Sequence, residues 1–204
     1  STGPGLWERT PPAFAQPLQP TWGNTRPFIL ASSECTVTPP LAYSEDPASA
    51  FYIQAKEVYQ TVSQLSDEER EIALYWADSP TETSTPPGHW ISIVTQLLSE
   101  GGYGLEHSSV TYAKLSITLA DAFILCWKEK YHYNLLRPIS YIQKVIDTNW
   151  NNPEITDPVV TPPFPEYPSG HSVQSGAAAT VLTELFGDVV FTDHTHDKRG
   201  YAAR

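Results

Sequence analysis

The chain has 204 residues, 40% of them hydrophobic and 17% charged, a balance that suits one globular domain with a real core and excludes a disordered chain. Its formal net charge of −11 argues against nucleic acid and anionic membrane surfaces as partners, because both need a basic face. The most apolar region, residues 115–127, is interrupted by Ser116, Thr118 and Asp121, so no membrane span is expected.

Taken in order, residues 1–46 read as an extended arm. Pro4, Pro11, Pro12, Pro17, Pro20, Pro27, Pro39 and Pro40 forbid long helices there. Trp7, Phe14, Trp22 and Phe28 offer apolar anchors to a core that the arm would wrap. Residues 47–204 read as one helical core. Phe51, Ala55, Val58, Tyr59 and Val62 fall at spacings of three and four, on one helical face. Ser66-Asp67-Glu68-Glu69 is a capping box opening a helix through Ile72, Ala73, Tyr75 and Trp76, which Asp78-Ser79-Pro80 ends. Residues 81–87 read as polar loop. Gly88-His89-Trp90 then starts a helix with Ile91, Val94, Leu97 and Leu98 on its core face. Gly101-Gly102-Tyr103-Gly104 breaks the chain. A long helix is predicted from about residue 106 to 136, a shorter one over 138–147, and loop over 148–168. A last helix after His171 carries an apolar stripe through Val173, Ala177, Val181 and Leu185 and stops at Gly187. The only strand-like run, Asp188-Val189-Val190-Phe191, is too short to build a sheet. The fold class predicted is all-α, a helical bundle with long Pro-rich loops.

Two stretches carry chemistry. Pro162-Pro163-Phe164-Pro165-Glu166-Tyr167-Pro168 is held extended by its prolines and releases into Ser169-Gly170-His171 at a helix start. Uncommitted N–H groups and the positive end of the helix dipole suit that turn to an anion, and His171 trades protons near neutral pH. The plainer reading is a stiff loop with a helix cap. In Lys130-Tyr131-His132-Tyr133-Asn134-Leu135-Leu136-Arg137-Pro138, the two cations stand seven apart and share a helical face, and Pro138 places Arg137 at a boundary between helices. Fork, point charge and dipole-backed turn together make a cage for a tetrahedral oxyanion.

Lys-x6-Arg-Pro followed by Pro-Ser-Gly-His resembles the first two signatures of the superfamily that joins vanadium-dependent haloperoxidases with type 2 phosphatidic acid phosphatases and bacterial acid phosphatases. Trp127 and Phe164 occupy positions where chloroperoxidase-like members hold aromatic residues beside vanadate. The tail Phe191-Thr192-Asp193-His194-Thr195-His196-Asp197-Lys198-Arg199-Gly200-Tyr201 is similar to bacterial relatives. The resemblance implies that Lys130, Arg137, Ser169 and Gly170 bind vanadate, that His171 is the general acid/base, and that Trp127 and Phe164 line the pocket. It implies oxidation of halide by peroxide at vanadate acting as a Lewis acid. In phosphatase members the same cage holds a phosphate ester, and the aromatic pair tilts the reading to the peroxidase side. The family's third signature, Ser-Arg-x5-His, is absent from these 204 residues. The expectation is therefore a bundle truncated at its C-terminus and inactive alone, with a second chain or a C-terminal remainder supplying that signature. A non-catalytic fragment, or half of a split protein acting by binding, is the reading of another class.

Other residues have plainer assignments. His89 is expected to cap or pack, and Asp121, on the opposite face from Lys130, to pair elsewhere. Asp78 is a weak candidate for orienting an arginine of the third signature, and His132 and Tyr133 are expected to pack. Asp193-His194-Thr195-His196-Asp197 looks like a metal site through His194 and His196, but so short a run rarely makes a complete cage, and an ordered polar loop is the duller option. Cys35 and Cys126 are expected to stay unbridged. Ser1 stands where a Met would start, which leaves open a removed targeting segment and so a soluble, secreted or periplasmic protein.

Overall fold

The computed structural model describes residues 3–31, 37–80, 82–150 and 159–204. A 3-10 turn Trp22–Asn24 precedes α1 Ala50–Val62, α2 Asp67–Ala77, α3 Thr85–Glu100 and α4 Leu105–Tyr133. Then come α5 Pro138–Tyr141, which runs into a π-helical stretch Ile142–Ile146, α6 Gly170–Phe186, and a 3-10 turn Asp197–Arg199. Among the described residues there is no strand, only the isolated bridges Leu6 to Leu135 and Pro80 to Thr83. The fold is all-α.

The helix ends follow local chemistry. Ser49 caps α1, its hydroxyl accepting from the Tyr52 N–H at 3.2 Å. Ser66 and Glu69 form the expected reciprocal box: the Ser66 N–H donates to Glu69 Oε2 at 2.8 Å and the Glu69 N–H to Ser66 Oγ at 3.3 Å. Helix α3 corrects the loop expected over 81–87. It starts at Thr85, with Pro86 and Pro87 in a first turn where a missing N–H costs nothing. Gly187, at φ 74°, stops α6 in the left-handed conformation that glycine adopts freely.

The chain forms two compact units, the first made of Ser1–Thr25, Thr36–Ala73 and Cys126–Ser169. Its core gathers Ala55, Leu136 and Tyr141, with Tyr43, Phe51, Tyr52, Val145 and Ile146 packed around them. Tyr141 meets the rings of Phe51, Tyr43 and Tyr52 edge-on at 5.1, 5.8 and 6.4 Å. The N-terminal arm is held here through its backbone. The Trp7 N–H donates to Asn134 O, Gly5 O accepts from the Leu136 N–H, and the Leu18 N–H reaches Pro163 O. Leu18 O accepts from Trp127 Nε1 and Tyr131 Oη. At Gly23 a Cβ would lie 2.4 Å from Lys128 Cα, so the close approach requires glycine. Anchoring by the arm's aromatics is not what the structure shows at Phe14 and Trp22, which are 57% and 41% exposed. Backbone groups need partners wherever they are covered, and those partners hold the arm here.

The second unit comprises Arg26–Cys35, Leu74–Leu125 and Gly170–Arg204. Val94 and Leu98 of α3, Leu115 and Leu119 of α4, and Ala178 and Leu182 of α6 form its core, with Trp90, Ile91, Tyr112 and Phe186 packed against them. The buried stripe of α6 is Gln174, Ala178 and Leu182, each one residue on from the first three of the expected Val173, Ala177, Val181 and Leu185 row. Alanines and valines surround this helix, so apolar spacing alone does not select its inner face. Gln174 earns its buried place by donating to Leu119 O at 3.0 Å. Asp121 pairs elsewhere, as expected. Its carboxylate accepts the N–H groups of Phe28, Ile29 and Leu30 at 2.6, 2.9 and 3.1 Å. Burial would raise its pKa, but these three bonds outweigh it and hold the carboxyl below its usual range.

By length and composition alone α4 is long and apolar enough to cross a membrane, although its unbroken apolar run is short. In this fold it buries Thr111, Leu115, Leu119 and Asp121 in the second unit and Cys126, Trp127 and Lys130 in the first.

Candidate functional site

Lys130 lies on the last turn of α4, and Arg137 stands in extended conformation (φ −75°, ψ 146°) just before Pro138 opens α5. Pro138 forbids the α conformation to its predecessor, so the guanidinium leaves the helix axis and turns toward residues 162–168. Both cations are buried, with Lys130 1% and Arg137 9% exposed. The Lys130 ammonium donates to Pro165 O at 2.8 Å and Glu166 O at 3.0 Å. Arg137 donates from Nε to Phe164 O at 2.7 Å, from Nη2 to Pro162 O at 3.3 Å, and from Nη1 to Glu166 Oε2 at 2.6 Å. Proline carbonyls have no competing N–H of their own residue, which makes this loop a row of acceptors that a cation satisfies.

An aromatic wall completes the arrangement. The Phe164 ring centroid is 4.9 Å from Lys130 Nζ and 4.7 Å from Arg137 Cζ. Trp127 meets Phe164 at 4.9 Å and lies 5.8 Å from the same ammonium. Burial first, and the like charge of Arg137 second, push the Lys130 pKa down to about 8. Burial likewise raises the neighbouring free thiol Cys126 to about 11, and its Sγ lies 3.8 Å from Pro168 O. Cys35 lies outside the described residues.

Ser169 follows Pro168 and is exposed, and Gly170 is the first residue of α6. His171, in the first turn, is also exposed, and its Nε2 donates to Ala77 O at 3.2 Å. A carbonyl only accepts, so Nε2 carries a proton in this contact and Nδ1 faces away from it.

Known proteins resemble this chain over the same stretches. The family model described as VCPO second helical-bundle domain matches residues 110–203. Vanadium chloroperoxidase of Curvularia inaequalis is 26% identical over 208 aligned residues, covering 88% of this chain and 34% of the relative. The crystal structure described as the first bacterial vanadium-dependent iodoperoxidase superposes with a TM-score of 0.90 at 41% identity, covering 100% of this chain and 51% of that one. These three likenesses support the vanadium haloperoxidase superfamily as the family this chain resembles. It spans about a third of the fungal relative and about half of the bacterial one.

The second unit of this chain holds a cluster that the sequence only hinted at. His89 is fully buried at the start of α3, with its Nδ1 2.8 Å from Asp78 Oδ2 and its Nε2 2.7 Å from Asp193 Oδ2. His196 Nε2 lies 3.2 Å from Asp78 Oδ1. Asp193 also accepts from Tyr75 Oη at 2.7 Å and from the Thr195 N–H and hydroxyl at 2.9 and 2.6 Å. The Trp76 ring stacks on His89 at 4.6 Å. Burial disfavours a charged His89, but the hydrogen bonds to Asp193 and Asp78 prevail and raise it to about 9. Burial would likewise raise Asp193, yet its bonds to His89, Thr195 and Tyr75 hold it far below the usual carboxylate range.

The structure separates the two histidines singled out together in the tail. His196 turns inward, whereas His194 is exposed and pairs with Asp197 at 2.9 Å. Asp78 meets His89 and His196 among the described residues. His132 is exposed and meets the neighbouring Tyr133 ring edge-on, and Tyr133 also meets Tyr167. Sequence reasoning passed over Glu166 and Tyr75. A lone Glu among prolines was the available signal for the first, and Tyr75 showed only as an apolar position on α2.

Proposed function

We propose that this chain carries the cationic part of a vanadate-dependent haloperoxidase site, with Lys130, Arg137, Ser169 and Gly170 as oxyanion ligands and His171 as general acid/base. The observation that carries this reading is the burial of Lys130 and Arg137 against one aromatic ring, two cations facing one carboxylate, Glu166. Such a surplus of buried positive charge fits an oxyanion, which would relieve both the desolvation of the ammonium and its repulsion by Arg137. Phe164 and Trp127 exclude water there and strengthen each ionic contact. When bound, vanadate supplies a Lewis acid that activates peroxide toward halide without changing oxidation state.

The chain's own groups divide the remaining work. Lys130 offers a point charge with two protons already given to carbonyls, so its third is available to an oxyanion. Arg137, steadied by Phe164 O and Pro162 O, holds its fork in place. Ser169 and Gly170 stand at the positive end of α6. His171 takes a proton at Nδ1 while Ala77 O holds Nε2–H. We infer that turnover also needs the Ser-Arg-x5-His signature, which these residues lack.

The test adds vanadate to the protein supplied with that signature and assays bromination by peroxide beside p-nitrophenyl phosphate hydrolysis. Vanadate-dependent bromination is expected. Ester hydrolysis that vanadate only inhibits, with no halide oxidation at any pH, assigns the cage to a phosphatase.

A further inference from the structure

The Asp78, His89 and His196 cluster shares no residue with the oxyanion ligands proposed above, and its atoms are arranged for a different ligand. One donor atom from each lies within 4.8 Å of the other two, and all three residues are buried. We propose that these three side chains form a site for a divalent transition-metal cation of the zinc class, with Asp193 as its outer support.

Charge is the first argument. Asp78 and Asp193 are 2% and 3% exposed, and the His89 ring bonded to both supplies at most one of the two positive charges they call for. One divalent cation supplies both while leaving the imidazoles neutral. Geometry is the second. Tetrahedral zinc with ligands at roughly 2.0–2.1 Å separates its donor atoms by about 3.3 Å. His196 Nε2 lies 3.2 Å from Asp78 Oδ1 and His89 Nδ1 lies 2.8 Å from Asp78 Oδ2, so the two rings meet the carboxylate at different oxygens, and one donor from each residue, all within 4.8 Å, closes on a cation with small side-chain shifts. The cation takes the place of the protons that now bridge Asp78 to the two rings.

The surroundings are the third argument. A metal-bound histidine characteristically donates its other N–H to a carboxylate, which fixes the ring and raises its basicity. His89 does this, with Nε2 on Asp193 Oδ2 at 2.7 Å. Asp193 is in turn fixed by Tyr75 and Thr195, and Trp76 stacks flat on the His89 ring. Nitrogen and oxygen donors without thiolate favour zinc, cobalt or manganese over soft ions. Three protein ligands leave a coordination position for water.

The test uses the purified protein, stripped with a chelator, incubated with Co2+ or Zn2+ alone and desalted. About one equivalent of metal is expected to remain, with visible d–d bands for Co2+ and a melting temperature raised by Zn2+. His196→Ala and the space-filling His196→Gln should lose the retained metal, and Asp193→Asn should weaken it roughly 10–100-fold. His194→Ala, altering an exposed histidine, should keep it. Folded wild-type protein that retains no metal overturns the proposal and leaves a proton-bridged ionic network. Undiminished retention in folded His196→Ala or His196→Gln places the metal elsewhere and overturns it equally.

Discussion

Replacing Lys130 by methionine isolates the energy stored in the proposed oxyanion cage. Folding carries this ammonium from water to a site 1% exposed and lowers its pKa from an ordinary 10.5 to about 8. A shift of that size costs about 3 kcal/mol in the charged form. The sign follows from proton counts. Between pH 8 and 10.5 the unfolded chain still holds a proton that the folded chain has released, so stability rises with pH across that window. Below pH 8 the cost is fully present. The methionine variant lacks this slope. Urea unfolding of both proteins at several pH values from 7.5 to 10 should show wild type gaining about 2 kcal/mol on the variant. Saturating phosphate pairs with the ammonium, raises its pKa and should flatten the gain. A gap between wild type and variant that stays constant over this range, with and without phosphate, refutes the claim of an uncompensated buried cation.

Four further outcomes follow. In the protein supplied with the Ser-Arg-x5-His signature, Arg137→Ala should abolish the proposed vanadate-dependent bromination, because it removes the fork and leaves Glu166 without its partner at 2.6 Å; the halogenation assay checks it. Glu166→Gln keeps an acceptor for Arg137 but removes a competing negative charge, so phosphate should bind several-fold tighter, by about 1 kcal/mol, in equilibrium titration. Asp121→Asn loses charge-assisted acceptance of three backbone N–H groups and should cost about 1.5–3 kcal/mol in urea unfolding. Gly23→Ala pushes a methyl into the Lys128 backbone, which has no side-chain freedom to yield, and should cost about 1–3 kcal/mol by the same measurement.

Much of this architecture is written in local chemistry. Ser66 and Glu69 announce α2 because a capping box is satisfied by four consecutive residues alone. Pro138 announces the break that frees Arg137 because its ring acts on the residue before it. The signals fail where the deciding partner is far along the chain. Nothing near Asp121 tells of Phe28, Ile29 and Leu30, which lie more than ninety residues away. His89 looks like a cap until Asp193, 104 positions on, meets its second nitrogen. The inner face of α6 is hidden because small apolar residues surround the helix, so Gln174 is found only once Leu119 O is beside it. Glu166 is visible in the motif, but its side chain's choice of Arg137 is tertiary.

The most direct measurement is vanadate binding, followed by vanadium NMR and equilibrium dialysis, in wild type, Lys130→Met and Arg137→Ala. The account predicts one vanadate held by wild type, displaced by phosphate, and lost or greatly weakened in both variants. Binding that is unchanged when Lys130 and Arg137 are replaced contradicts it.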